Sequence, residues 1–325
     1  MKTIAEFETF YNTALLPYLQ PLELRRQRIF HTLTGIVAGL LAIGAVAFCV
    51  FQPDVRNQPQ TLIIPGVAAA GIMAISWYLL TRNFVQDFKR EVIGQIVKFC
   101  DPTLTYAPEG LIPRQQFETA RIFTHSIDRF AGEDLVQGKI GATTAAFSEV
   151  HAEYKTTTTD SKGRTRTQWH TIFKGLFFVG DFNKNFQGVT VVLPDVAQKF
   201  LGFIGQKLQE MNLARLGQLV KLEDPEFEKE FVVYADDQVE ARYILSTSLM
   251  KRICDYKRKT GKPIYLSFVD SNIYVAVHTG TNLFEPRIFR TLLDFALARE
   301  YLEQLLLAVG IVDDLNLNTR IWTKS

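Results

Sequence analysis

Two uncharged apolar stretches near the start of the chain constrain it more than any other feature. Thr32 to Phe51 and Thr61 to Leu80 are each 20 residues long and hold no Asp, Glu, Lys or Arg. A helix rises ~1.5 Å per residue, so about 20 apolar residues cross the ~30 Å hydrocarbon core of a bilayer. Nine residues, Gln52 to Gln60, join the stretches, and Pro53, Asp54, Asn57 and Pro59 among them read as a polar turn. The pattern predicts a transmembrane helical hairpin over 32–80, with spans 32–51 and 61–80. The first apolar run is too long for a cleaved signal peptide, and about 30 residues precede it, so it reads as a retained span.

Basic residues beside the spans set the orientation. Arg25, Arg26 and Arg28 precede the first, Arg82, Lys89 and Arg90 follow the second, and the turn carries Arg56 alone. Both termini are therefore expected in the cytoplasm, in a multi-pass protein of the inner (plasma) membrane. Within the spans, Gly35 and Gly39 form a GxxxG, and Gly66 and Gly71 mark a small-residue face on the second. Such faces permit close helix approach, either of one span to the other or in a homo-oligomer. The absence of ionisable residues in the spans argues against an ion or proton pathway.

Composition narrows the rest. The 325 residues carry a formal net charge of +2, which gives no electrostatic footprint for nucleic acid. Cys49, Cys100 and Cys254 are far apart, with no CxxC pair, so neither a disulfide framework nor a zinc site is signalled.

Residues 1–31 read as a cytosolic helical segment. Ile4, Phe7, Phe10, Tyr11 and Leu15 lie at helical spacing, Pro17 and Pro21 interrupt, and a new helix runs from Leu22 into the membrane. The second span is expected to continue to about Phe99 and to stop at Asp101-Pro102, with 81–112 as helix extension and linker. A cytosolic domain is expected over 113–310. It starts with a helix from Arg114 to about Ser126. Long strands over Ala145–Thr158 and Thr167–Val179 follow, joined by Asp160-Ser161-Lys162-Gly163. A strand over Val189–Leu193, a helix to Met211, and strands over Leu216–Leu222 and Phe231–Tyr234 come next. Ser246 or Thr247 caps a helix that Gly261 closes. A second hairpin spans Pro263–Val269 and Ile273–Thr279, and a final helix runs from Pro286 to Val309. The tail 311–325 reads as loosely held. Hairpin-linked strands with separate helices predict an α+β fold: the transmembrane hairpin followed by a cytosolic domain of antiparallel sheet and packed helices.

Two clusters carry possible chemistry. With the hairpin turn centred between Ser161 and Lys162, Glu153 faces His170, and alternation puts Glu149, His151 and Glu153 on the same strand face. Two imidazoles and two carboxylates there could hold a metal or form an acid–base pair, as in a metal-assisted hydrolase. The competing reading is a solvent-facing strand side. The second cluster is Lys251, Arg252, Lys257, Arg258 and Lys259, either a solvated helix face or a patch for anionic lipid. Asp181, Asn183 and Asn185 alternate like part of a calcium loop but lack its glycine and distal glutamate, so an Asx-rich turn explains them better. No GxxxxGK[ST], GxGxxG or GxSxG occurs, and no cofactor is expected.

Several segments resemble an uncharacterised bacterial membrane-protein family, domain of unknown function 3137. They are Gly138-Lys139-Ile140-Gly141, Phe147-Ser148-Glu149-Val150, Phe173-Lys174-Gly175-Leu176-Phe177, Phe231-Val232-Val233-Tyr234, Ala241-Arg242-Tyr243-Ile244-Leu245 and Leu283-Phe284-Glu285-Pro286. The resemblance implies a membrane-anchored protein with no assigned activity and, as a partner, a small membrane protein of the LemA family. It carries over no catalytic residues. The expected function is a membrane-anchored cytosolic binding or scaffold module, with the bilayer itself as one partner.

Overall fold

The computed structural model describes residues 2–50, 63–195 and 216–319. The polar turn at 52–60, the helix expected up to Met211 and the last six residues of the tail lie outside the described residues. Contacts divide the chain into two compact units: Lys2–Ile96 with Phe284–Tyr301, and Val97–Leu283 with Leu302–Ser325.

In the first unit, Thr3 caps α1 (Ile4–Phe10) in a reciprocal box with Glu6. A π-helical turn, Tyr11–Leu15, leads into α2 (Leu16–Val50). Pro17 and Pro21 therefore do not interrupt the helix, contrary to the sequence expectation. The wide turn before Pro17 takes up a missing backbone bond. Buried Leu19, Leu22 and Arg26 hold the helix on either side of Pro21. Next, α3 (Ile63–Phe88) passes through a π turn, Lys89–Ile93, into α4 (Gly94–Cys100), which stops before Pro102 as expected.

Both long helices are apolar and long enough to cross a membrane, and the most apolar windows of the two are 6% and 0% buried. Leu41, Ile43, Val46, Ile64, Val67 and Ile75 are all exposed. Outward-facing apolar surface of this extent suits lipid rather than water. A Cβ built on Gly35, Gly39, Gly66 or Gly71 would meet nothing within 4 Å. Among the described residues, the small-residue faces thus do not pack one span on the other.

The second unit is built on a nine-stranded antiparallel sheet in the order β1-β2-β3-β4-β9-β8-β5-β7-β6. The elements in chain order are β1 (Thr105–Ala107), α5 (Arg114–Thr119), β2 (Arg129–Ile140), β3 (Thr143–Thr159), β4 (Thr165–Asp181) and β5 (Thr190–Pro194). They continue with β6 (Gln218–Val220), α6 (Pro225–Glu230), β7 (Phe231–Ala235), α7 (Gln238–Ile244), α8 (Thr247–Thr260), β8 (Ile264–Val269) and β9 (Asn272–His278). After β9 come α9 (Phe295–Val309) and α10 (Ile311–Asp314). Ser246 caps α8, and Gly261 ends it in the left-handed region, as the sequence predicts.

On one face of the sheet Phe117, Phe173 and Phe177 meet, with Phe117–Phe177 centroids 4.8 Å apart. Alternate residues such as Leu176 and Phe178 are buried as well, so both faces are covered in this region.

Three further expectations change. The helix from Arg114 ends at Thr119 rather than Ser126, because Arg121 adopts a positive φ of 51°. The last long helix starts at Phe295, not Pro286. Asp294 accepts from the Ala296 backbone N–H, and the Ile288, Leu292 and Leu293 backbone groups bond to the Arg26, Glu23 and Tyr11 side chains instead. The tail is not loose as far as Thr319. Ile311, Val312, Leu315 and Leu317 are buried, and Asn318 accepts from the Ala142 backbone N–H.

Candidate functional site

The β3–β4 hairpin leaves the sheet. β2 pairs with β3 only as far as Arg129↔Glu153, and β9 pairs with β4 only from Gly175 onward. Residues 154–170 therefore form a two-stranded ribbon with both edges outside the sheet. β-branched residues favour the extended backbone, and Thr156 to Thr159 supply four in a row. The tip is a five-residue loop. Asp160 accepts from the Lys162 and Arg164 backbone N–H groups, and Gly163 takes φ 75°. Lys155, Lys162, Arg164 and Arg166 stand against the single acid Asp160, so the ribbon is cationic.

The loop length decides the fate of the expected His/Glu cluster. Five loop residues pair Thr159 with Thr165, one position away from the register expected for a four-residue turn. His170 therefore faces Tyr154, not Glu153. Side chains alternate across a strand, so the shift moves His170 to the opposite face. There its ring stacks on Tyr154 at 4.9 Å, and His125 stacks on the same Tyr154 at 4.8 Å. Burial holds the His125 pKa below its ordinary value.

The other three expected residues keep their shared face but spread along it. His151 Nε2 lies 3.7 Å from Glu153 Oε1, and Glu153 Oε2 accepts from Arg129 at 3.1 Å. The Arg129 guanidinium sits 4.1 Å over the ring of Trp169, which is 42% exposed. Glu149 is buried and accepts from the Leu283 backbone N–H at 2.7 Å. The structure thus does not bring Glu149, His151, Glu153 and His170 to one centre.

Glu149 meets other carboxylates instead. A β-bulge between Glu133 and Val136 turns Asp134 inward at φ 64°. Glu133, Asp134 and Glu149 each place a carboxylate oxygen within 4.8 Å of the others, and Tyr106 Oη donates to Asp134 at 2.5 Å. Sequence reading missed this group because Glu133 and Asp134 precede Ala145, where the first strand was read.

The basic residues of α8 are largely engaged. Lys257 pairs with Glu230, Arg258 with Glu226 and Asp255, and Lys259 with Asp314 at 2.6 Å. Arg252 donates to the Asp314 carbonyl at 3.4 Å. Paired in this way, the helix face presents less net positive charge than the sequence suggests. Asp181 accepts from the Asn183 backbone N–H at 3.1 Å, which makes the 181–185 stretch an Asx turn as read.

No curated protein matches the chain. One solved structure, the mycobacterial trehalose monomycolate transport factor A, TtfA, aligns over 68% of this chain and 95% of its own. Its identity is 10% and its TM-score 0.28. Residues 171–317, which include four of the six segments quoted for the resemblance, match the family model described as "Protein of unknown function (DUF3137)".

Proposed function

We propose that the chain is a membrane-anchored binding module, with its sheet unit in the cytosol and the β3–β4 ribbon as its recognition element. The observation that carries this reading is the ribbon itself: strand backbone held outside the sheet, cationic along its length, with Trp169 and the Tyr154–His170 stack at its base. Exposed strand edges are templates for an added strand. Four cations on so short a ribbon disfavour self-pairing and favour an acidic extended segment of another protein. The apolar helices supply the anchor, and the basic residues flanking them support cytosolic termini.

The test is photo-crosslinking in membranes of the full chain carrying a benzophenone amino acid in place of Trp169, followed by purification. A discrete adduct that disappears when Lys155, Arg164 and Arg166 are changed to Glu supports the reading. No adduct at Trp169, or one indifferent to charge reversal, overturns it.

A further inference from the structure

We infer that a third element, far along the chain from the two apolar helices, enters the membrane interface. This is residues 284–294, whose Phe289 and Leu293 side chains lie in the lipid headgroup region. The inference rests on the reading of α2 and α3 as membrane spans.

Phe289 is 69% exposed, unusual for so large an apolar side chain on a fixed backbone. Its ring stacks on Trp77 of α3 at 5.8 Å and meets Phe30 of α2 edge-on at 6.2 Å. Phe30 stands two residues before the first apolar stretch and Trp77 three residues before the end of the second. At ~1.5 Å per residue, both lie within about 5 Å of the same end of the apolar region. Phe289 is thereby held at the level where aromatic side chains concentrate in membrane proteins. Tyr78, exposed on α3 with Arg82 packed 5.9 Å from its ring centre, belongs to the same level.

The segment is held from beneath. Arg26 Nη1 donates to the Ile288 carbonyl at 2.7 Å. Glu23 Oε2 accepts from the Leu292 backbone N–H at 2.9 Å, and Tyr11 Oη donates to the Leu293 carbonyl at 2.8 Å. Ile288 and Leu292 are buried, which leaves Phe289 and Leu293 turned outward. An apolar pair fixed outward beside two lipid-facing helices continues their surface, and that continuity points to the bilayer rather than to a protein groove. Arg287 and Arg290, on either side of Phe289 in sequence, are paired with Glu300 and Asp294, so the apolar pair and its aromatic neighbours alone mark the interface.

The full chain is reconstituted in nanodiscs and labelled with an environment-sensitive fluorophore at one cysteine at a time. The positions are native Cys49 inside the first span, Phe289→Cys, Leu293→Cys, and Val239→Cys as the water-exposed reference. Native cysteines other than the one labelled are changed to Ala. Blue-shifted emission at positions 289 and 293, quenched by brominated lipid while position 239 is not, is the expected result. Quenching at Cys49 with water-like emission at both 289 and 293 overturns this inference alone. Water-like emission at Cys49 as well overturns the membrane anchor with it.

Discussion

Tyr154 and His170 lie directly opposite each other across β3 and β4, their rings stacked at 4.9 Å. With His125 also stacked on it, the tyrosine joins three rings at the base of the ribbon. Aromatic pairs contribute about 0.5–1.5 kcal/mol each beyond area burial. Tyr154→Ala is expected to lower stability by about 1–3 kcal/mol, and Tyr154→Phe by far less. Urea unfolding followed by far-UV circular dichroism checks both.

Stability is expected to fall as pH drops below about 6.5. Burial lowers the pKa of His125, and burial together with Lys262 lowers that of His278. Each is neutral in the folded protein where the unfolded chain already takes up a proton. The unfolded state therefore binds more protons just below 6.5, and stability rises with pH through that window. Thermal unfolding compared at about pH 7.5 and 5.5 tests the sign, and a His125→Gln, His278→Gln double variant should flatten the response.

The Glu23–Arg26 pair is the clamp of the segment 284–294. Burial pushes the Glu23 pKa up, but hydrogen bonds from Arg26, the Leu292 N–H and Gln27 outweigh it and hold the carboxyl at about 2. Its contribution is complete above about pH 4.5 and is lost as pH falls toward 2. Glu23→Gln leaves buried Arg26 without its counter-charge, a loss on the order of 3 kcal/mol. Tryptic cleavage after Arg287 and Arg290 should become faster in that variant than in the parent.

Gly132 and Gly163 are expected to respond differently to alanine. A Cβ at Gly132 would stand 2.0 Å from the Glu149 carbonyl oxygen, so backbone must move, at a cost of about 1–3 kcal/mol. At Gly163 nothing lies within 4 Å, and only the φ of 75° opposes a side chain, by about 1 kcal/mol. Midpoints of chemical unfolding for the two variants decide this ordering.

Local chemistry was readable from the chain alone. Charge-free apolar stretches, the helix stop at Asp101-Pro102, the Ser246 and Gly261 caps of α8 and the β3–β4 and β8–β9 hairpins each depend on neighbours in sequence. Those elements stand in the structure within a few residues of where they were read. What depended on register or on distant partners was decided by the tertiary structure. One extra residue in the loop after Thr159 sent His170 to the opposite face from Glu153, because side-chain direction alternates at every position. The bulge at Asp134 brought Glu133, Asp134 and Glu149 together. Bonds from Arg26, Glu23 and Tyr11 kept 284–294 out of a helix and left Phe289 facing outward. No local pattern encodes these, since each arises from backbone groups that find partners elsewhere in the fold.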